Sequence, residues 1–199
     1  MVYSIGDIII EHFAIIGNPI THSLSPQIHQ LFAKQINKVL TYTVIQCEVH
    51  QFAQTVQTFF AAGGIGLNVT APFKQVACTL ADVITPRCSQ AQAANTLWLE
   101  DHKLYADNTD GVGFMLDIKR YLNLSQKNIL ILGSGGAVRG ILGPLLRCDP
   151  QSVTLWGRTM ERIRDIQQLF PTILSINNTA RHASQWHYDL IINATSYMT

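Results

Sequence analysis

The chain has 199 residues, of which 47% are hydrophobic and 14% charged, and its formal net charge is +1. This is the composition of a globular protein with one large or two small domains, and it argues against disorder. Lys and Arg are scattered, with no basic stripe to suit a nucleic acid, and the apolar runs are too short to span a bilayer.

The first ten residues include Ile8, Ile9 and Ile10 but lack the basic leader and small-residue cleavage site of a signal peptide. They read as an extra first strand or an N-terminal extension. Residues 12–17 read as a strand, followed by a polar loop over 18–26. Residues 27–35 have helical spacing, with Ile28, Leu31 and Phe32 on one face. The β-branched and aromatic segment 40–47 reads as a strand, and 49–62 as a helix closed by Gly63 and Gly64. A short strand at 67–69 enters the polar turn 70–74, and a helix is expected over 74–83. Residues 96–99 and 103–105 suggest a hairpin around Glu100, Asp101 and His102.

The second half alternates more regularly. Helices are expected at 110–122, 137–147 and 160–170, and strands at 128–132, 153–156, 172–176 and 189–193. Such alternation predicts an α/β fold with a parallel, doubly wound sheet. Polar residues and two glycines interrupt the apolar pattern at 107–113, so the expected domains are 1–109 and 110–199. The four cysteines, Cys47, Cys78, Cys88 and Cys148, show neither C-x-x-C spacing nor a nearby His at metal-ligand spacing. They read as small, partly buried hydrophobes in a reducing cytosol. No metal is expected.

The strand at 128–132 runs into Gly133, Ser134, Gly135, Gly136 and Ala137, a glycine-rich turn that opens a helix. In that context Gly133 permits a tight turn and Gly135 clears space for a pyrophosphate, whose charge faces the free N–H groups and the helix dipole. Val138 stands where close helix–strand packing prefers Gly or Ala, which implies a slightly different packing distance. After the strand at 153–156 come Arg158, Thr159 and Arg162. An NAD site usually carries a carboxylate at this corner. Guanidinium groups grip a 2′-phosphate instead, so NADP is favoured.

The first half places polar residues at strand ends: Ser23 and Ser25, Asn68 and Thr70, Lys74, Asn95 and Thr96, then Asp107 to Asp110. Hydroxyls, amides, one lysine and one aspartate suit a small polyhydroxylated acid. Reducing a ketone with NADPH leaves charge developing on oxygen, which a lysine ammonium can stabilise and protonate. His22 and His29 read as loop and helix-face residues.

Taken in order, these segments resemble the shikimate dehydrogenase family from about Phe13 to the last residue. They are G-N-P-I-x-H-S-x-S-P at 17–26, N-V-T-x-P-F-K at 68–74, A-N-T at 94–96, D-N-T-D-G at 107–111, G-S-G-G-A at 133–137, R-T at 158–159 and N-A-T-S at 193–196. The resemblance implies an N-terminal α/β substrate-binding domain followed by a Rossmann-type doubly wound NADP-binding domain. That second domain is expected to be incomplete, because family members continue for several dozen residues past N-A-T-S. Some of its apolar faces are then expected to be uncovered.

The implied activity is the NADP-dependent reversible reduction of 3-dehydroshikimate to shikimate, a cytoplasmic step of chorismate and aromatic amino-acid biosynthesis. By resemblance Lys74 and Asp110 match the catalytic pair, and Ser23 and Ser25 the hydroxyls that hold the substrate carboxylate. Asn68, Thr70, Asn95 and Thr96 stand where the family lines its pocket. Gly133, Ser134, Gly135, Gly136 and Ala137 match the pyrophosphate turn, Arg158, Thr159 and Arg162 the 2′-phosphate clamp, and Asn193, Ala194 and Thr195 a further cofactor-side segment. Two serines, not serine with threonine, lean toward shikimate over quinate. A quinate dehydrogenase-like enzyme and an inactive remnant that keeps nucleotide binding are the alternative readings, and either a monomer or a homodimer fits.

Overall fold

β-Branched and aromatic segments build one mixed sheet in the first half of the chain, and a second, wholly parallel sheet follows. The computed structural model describes residues 3–5, 8–176 and 187–195. Two compact units divide it: Met1–Cys88 with Ala93–Asp107, and Ser89–Gln92 with Asn108–Thr199.

In the first unit, β1 (Tyr3–Ile5) folds back antiparallel on the start of β2 (Ile8–Gly17), so the isoleucine run belongs to a strand. β3 (Leu40–Gln46) and β4 (Gly66–Val69) flank β2 in parallel. β6 (Thr96–Glu100) runs antiparallel to β4, and β7 (Lys103–Asp107) antiparallel to β6. The edge is β5 (Val83–Ile84), parallel to β7. The β6–β7 turn is tighter than the sequence suggested. Glu100 pairs with Lys103, and only Asp101 and His102 remain in the turn, both with positive φ. That is the backbone twist a two-residue hairpin needs.

One face of this sheet is the core. Ala14, Ile16, Leu67, Val69 and Leu97 pack with Phe52, Val56 and Phe60 of α2 (Phe52–Ala61) and with Ala77 of α3 (Lys74–Leu80). Phe52 stacks on Phe73 with ring centroids 4.6 Å apart, and neither residue is exposed to solvent. Burying one such ring stabilises the fold by about 1.5–3 kcal/mol. The opposite face carries α1 (Ser25–Gln35), which starts two residues before the expected helix because Pro26 has its φ preset for a first turn.

Two expected helices of this unit are shorter in the structure. The segment 49–62 opens as a 3₁₀ turn at Val49–Gln51, where Glu48 and Gln51 form a capping box, and α2 begins only at Phe52. The segment 74–83 ends as helix at Leu80. Asp82 then exchanges hydrogen bonds with the backbone of Leu104, and Val83–Ile84 join the sheet. Tertiary pairing of two β-branched residues outweighs weak local helix propensity. The short helix α4 (Pro86–Ala91), absent from the sequence reading, follows.

In the second unit, β8 (Asn128–Leu132), β9 (Ser152–Trp156), β10 (Leu174–Ile176) and β11 (Leu190–Asn193) form a parallel sheet in the order β10-β9-β8-β11. Ile129, Ile131, Val153 and Leu155 of the sheet pack with Val138, Leu142 and Leu145 of α6 (Gly136–Leu146) and with Ile163 and Ile166 of α7 (Met160–Leu169). Val138 is fully buried in that core. α5 (Asp110–Ile118) ends four residues before the expected position and lies along α6. The approach is close: a Cβ on Gly111 would stand 2.4 Å from the Gly140 carbonyl oxygen. Arg139 is 4% exposed, and burial pushes its pKa down while the charge of Asp165 opposes the shift. Ile191 of β11 is 58% exposed, and Trp156 at the end of β9 is partly exposed.

Candidate functional site

In the first unit the site is assembled at the carboxyl ends of β2 and β4. The backbone after each strand turns sharply, and the two turns are joined: Asn18 N–H donates to the Ala71 carbonyl and Thr70 N–H to the Ile16 carbonyl, each at 3.0 Å. Both turns contain a cis proline bond, at Asn18–Pro19 and Ala71–Pro72. Gly17 is needed because a Cβ there would fall 2.5 Å from the Thr70 methyl. The motifs at 17–26 and 68–74 are therefore one structural piece.

Registry then aligns the polar residues. Asn68 of β4 stands opposite Thr96 of β6, which stands opposite Asp107 of β7. Paired residues project to the same face, here the one opposite the apolar core. Asn95 N–H donates to the Asp107 carbonyl, and the Asn95 carbonyl accepts from Val69 N–H at 2.8 Å. Thr96 Oγ1 donates to Asn95 Oδ1 at 2.9 Å. Lys74 opens α3, and its carbonyl accepts from Ala94 N–H at 2.7 Å, which places the start of α3 beside Asn95. Ser23 Oγ accepts from Ser25 N–H at 3.2 Å.

The residue that joins these pieces is Tyr42. Its hydroxyl donates to Asn68 Oδ1 at 2.6 Å and lies near enough to the Ser25 side chain for that group to lower its pKa. Asn68 Nδ2 in turn donates to the Asn95 carbonyl at 3.3 Å. Burial pushes the Tyr42 phenol well above its ordinary pKa, with the Ser25 contact partly offsetting this, so it stays a neutral donor. His29 of α1 stacks on the Tyr42 ring at 4.2 Å, and burial lowers its pKa. Tyr42 was read only as strand-forming. The available signal was a polar-tipped aromatic residue among alternating Thr residues of β3.

A second missed group is the Arg87–Asp107 ion pair. Arg87 Nε and Nη2 both reach the Asp107 carboxylate, and Thr85 Oγ1 donates to it at 2.6 Å. Asp107, grouped with the polar pocket residues by sequence, is 7% exposed and anchors this loop. Asn108 Oδ1 accepts from Asp110 N–H at 3.1 Å, so Asn108 fixes the start of α5, where Asp110 is the first residue.

In the second unit a strand-end constellation forms around β8. Gly133 has a φ of +121°, and a Cβ on it would lie 2.8 Å from the Ala194 carbonyl oxygen. Only glycine fits that backbone and that neighbour. Gly135, in contrast, has no protein atom within 4 Å of an added Cβ. Protein packing does not call for glycine there, whereas close approach of a diphosphate does. Gly136 then begins α6, with the free N–H groups of its first turn.

At the end of β11, Asn193 Oδ1 accepts from both Thr195 N–H and Thr195 Oγ1, a side-chain turn that holds Ala194 against Gly133. Ser196 lies outside the described residues. At the end of β9, Gly157 packs beside Ser134, followed by exposed Arg158 and by Thr159 at the helix cap. Arg162 is exposed on the first turn of α7 and, among the described residues, makes no ion pair with Glu161 or Asp165. With β9 and β10 on one side of β8 and β11 on the other, the glycine turn sits where the strand order reverses, the usual ligand crevice of such sheets.

Residues 15–97 match the family model described as shikimate dehydrogenase substrate binding domain. A Legionella pneumophila (strain Lens) protein named shikimate dehydrogenase (NADP(+)) is 50% identical over 187 residues, covering 94% of this chain and 69% of that protein. The crystal structure of shikimate dehydrogenase from Aquifex aeolicus is similar with a TM-score of 0.85 at 30% identity, covering 94% of this chain and 69% of that one. The Thermus thermophilus shikimate 5-dehydrogenase in complex with NADP(H) and shikimate gives a TM-score of 0.80 at 26% identity, with coverages of 94% and 69%.

Proposed function

This chain belongs to the shikimate dehydrogenase family, and from that premise we propose how its residues divide the NADP-dependent reduction of 3-dehydroshikimate to shikimate. The observation that carries the reading is the hydrogen-bonded chain from Tyr42 through Asn68 to Asn95, with Ser25 near the Tyr42 hydroxyl and the start of α3 beside Asn95. A row of neutral donors and acceptors in fixed register suits a ring bearing several hydroxyls and one carboxylate.

Ser23 and Ser25 take the carboxylate through their hydroxyls. Asn68, Asn95, Thr70 and Thr96 take the ring hydroxyls and orient the ketone carbon. Bound NADPH supplies a hydride to that carbon. Lys74 places its ammonium at the ketone oxygen, stabilises the developing alkoxide and donates the proton. Asp110 is the acidic member of the couple and balances the lysine charge. In the reverse direction the same couple accepts the hydroxyl proton. On the cofactor side Gly133 to Ala137 cradle the diphosphate, Arg158, Thr159 and Arg162 bind the 2′-phosphate, and Asn193 to Thr195 border the crevice.

Steady-state kinetics with shikimate and NADP, followed as NADPH formation, test these roles. Lys74→Ala should lower kcat by about 10²–10⁴-fold, the usual contribution of a general acid–base group, while NADP binding by thermal shift stays near wild type. A Lys74→Ala protein with unchanged turnover removes the lysine from the mechanism. Quinate in place of shikimate should give the lower kcat/KM.

A further inference from the structure

Cys78 lies on α3 and Cys88 on α4, ten positions apart in sequence, and both belong to the first unit. Their sulfur atoms are 3.5 Å apart. Both thiols are free, with Cys88 fully buried and Cys78 half-buried. We propose that Cys78 and Cys88 form an oxidative modification site at which a small peroxide, hydrogen peroxide or an organic hydroperoxide, converts the thiol pair into an intramolecular disulfide.

The hydrogen bonds give the two sulfurs different roles. Cys88 Sγ is placed to donate to Cys78 Sγ or to the Ala93 carbonyl, each at 3.5 Å, while Cys78 Sγ accepts from Cys88 and has its own donor contact to the Cys88 carbonyl at 3.8 Å. The bond from Cys88 pulls the Cys78 thiol below its ordinary pKa, against the effect of burial. Cys88 is pushed up, first by that same bond and then by burial. The accessible sulfur is thus the better nucleophile and the sheltered one the resolving thiol.

The chemistry balances in two steps. Cys78 thiolate attacks one peroxide oxygen: an S–O bond forms, the O–O bond breaks, and the other oxygen leaves as water or an alcohol. Cys88 then attacks the resulting sulfenic acid. The S–S bond forms, the S–O bond breaks, and water departs with the Cys88 proton. Two thiols lose two electrons, and the peroxide gains them. A sulfur separation of 3.5 Å is already at the distance expected of a near-attack geometry, roughly 3–3.5 Å.

Closing the bond has a consequence that rests on the role proposed for Lys74. The sulfurs must approach to about 2.05 Å. Cys78 is one helical turn after Lys74, and Cys88 contacts the Ala93 carbonyl two residues before Asn95. The disulfide therefore draws the start of α3 and the Asn95 segment toward new positions, and turnover falls on oxidation.

The test treats the purified, reduced protein with hydrogen peroxide, alkylates the remaining thiols and maps the tryptic peptides by mass. The expected product is peptide 75–87 joined to peptide 88–103 with the loss of two hydrogens, reversed by dithiothreitol, while Cys47 and Cys148 remain alkylated. In Cys78→Ser the same dose should oxidise Cys88 at least about tenfold more slowly, since a buried, high-pKa thiol reacts poorly. In Cys88→Ser, Cys78 should halt at a sulfenic acid that dimedone traps. If both cysteines of the wild-type protein stay alkylatable, or Cys78 passes to sulfinic acid with Cys88 untouched, the proposal is overturned. The mass readout does not depend on activity. A disulfide that forms with no loss of turnover keeps the modification site and removes the coupling to Lys74.

Discussion

Tyr42 shows how much a single hydroxyl can organise. It is 6% exposed, and its one oxygen bonds Asn68 of β4 and lies near Ser25 at the start of α1. Tyr42→Phe keeps the ring that stacks on His29 but leaves Asn68 Oδ1 without its donor, and a lost buried hydrogen bond costs about 1–3 kcal/mol. Tyr42 acts as a positioning residue, so the expected change is a rise in KM for shikimate of about tenfold, with kcat moving less. An unchanged KM would show that Ser25 and Asn68 hold their places unaided. At the same scale, Gly133 and Gly135 are glycines for different reasons. The first is demanded by its own backbone and the Ala194 carbonyl, the second by nothing in the protein.

Among the elements, β11 depends on a carboxylate that precedes it. Asp189 Oδ2 accepts from Asn128 N–H at 2.8 Å, and Oδ1 pairs with Lys127 at 3.1 Å, tying the start of β11 to β8. The Asn128 N–H first, and the Lys127 side-chain bond second, hold the Asp189 pKa below its ordinary 3.8. A depressed aspartate stabilises the fold fully above its unfolded pKa, and the contribution is lost as pH falls through the lower folded value. Thermal melts of wild type and Asp189→Asn across acidic pH should therefore converge as pH drops below 3.8 and separate above it, with wild type the more stable. Parallel curves through that range would mean the bond carries no pH-dependent stability. The same strand leaves Ile191 58% exposed.

At the scale of the whole molecule, the second unit's strand order puts the glycine turn where the order reverses, and the proposed roles make Arg158 and Arg162 the residues that select the nucleotide. Ligand that binds only the folded state stabilises it by about 2.7 kcal/mol at one hundred times Kd. NADP should raise the melting temperature of the purified chain more than NAD at equal concentration. Arg158→Ala combined with Arg162→Ala should erase that difference, and equal shifts with NADP and NAD in wild type would remove the 2′-phosphate role. Among the described residues no helix is long and apolar enough to cross a membrane. The chain spans 69% of the length of the Legionella relative.

The amino-acid sequence alone determined the α/β alternation, the glycine turn on β8 and the polar segments at strand ends, because these are local: each depends on residues within one turn or one strand. It also determined the family, since the order of those segments is itself information. Local pattern failed where a partner distant in sequence decides the outcome. Val83–Ile84 became a strand through Tyr105 and Ala106, Asp107 became an anchor through Arg87, and Tyr42 became a tether through Asn68. Cys78 and Cys88 show no recognisable spacing and meet only because α3 and α4 pack together. Contacts of this kind are properties of the sheet's register and of helix packing, which only the tertiary structure supplies.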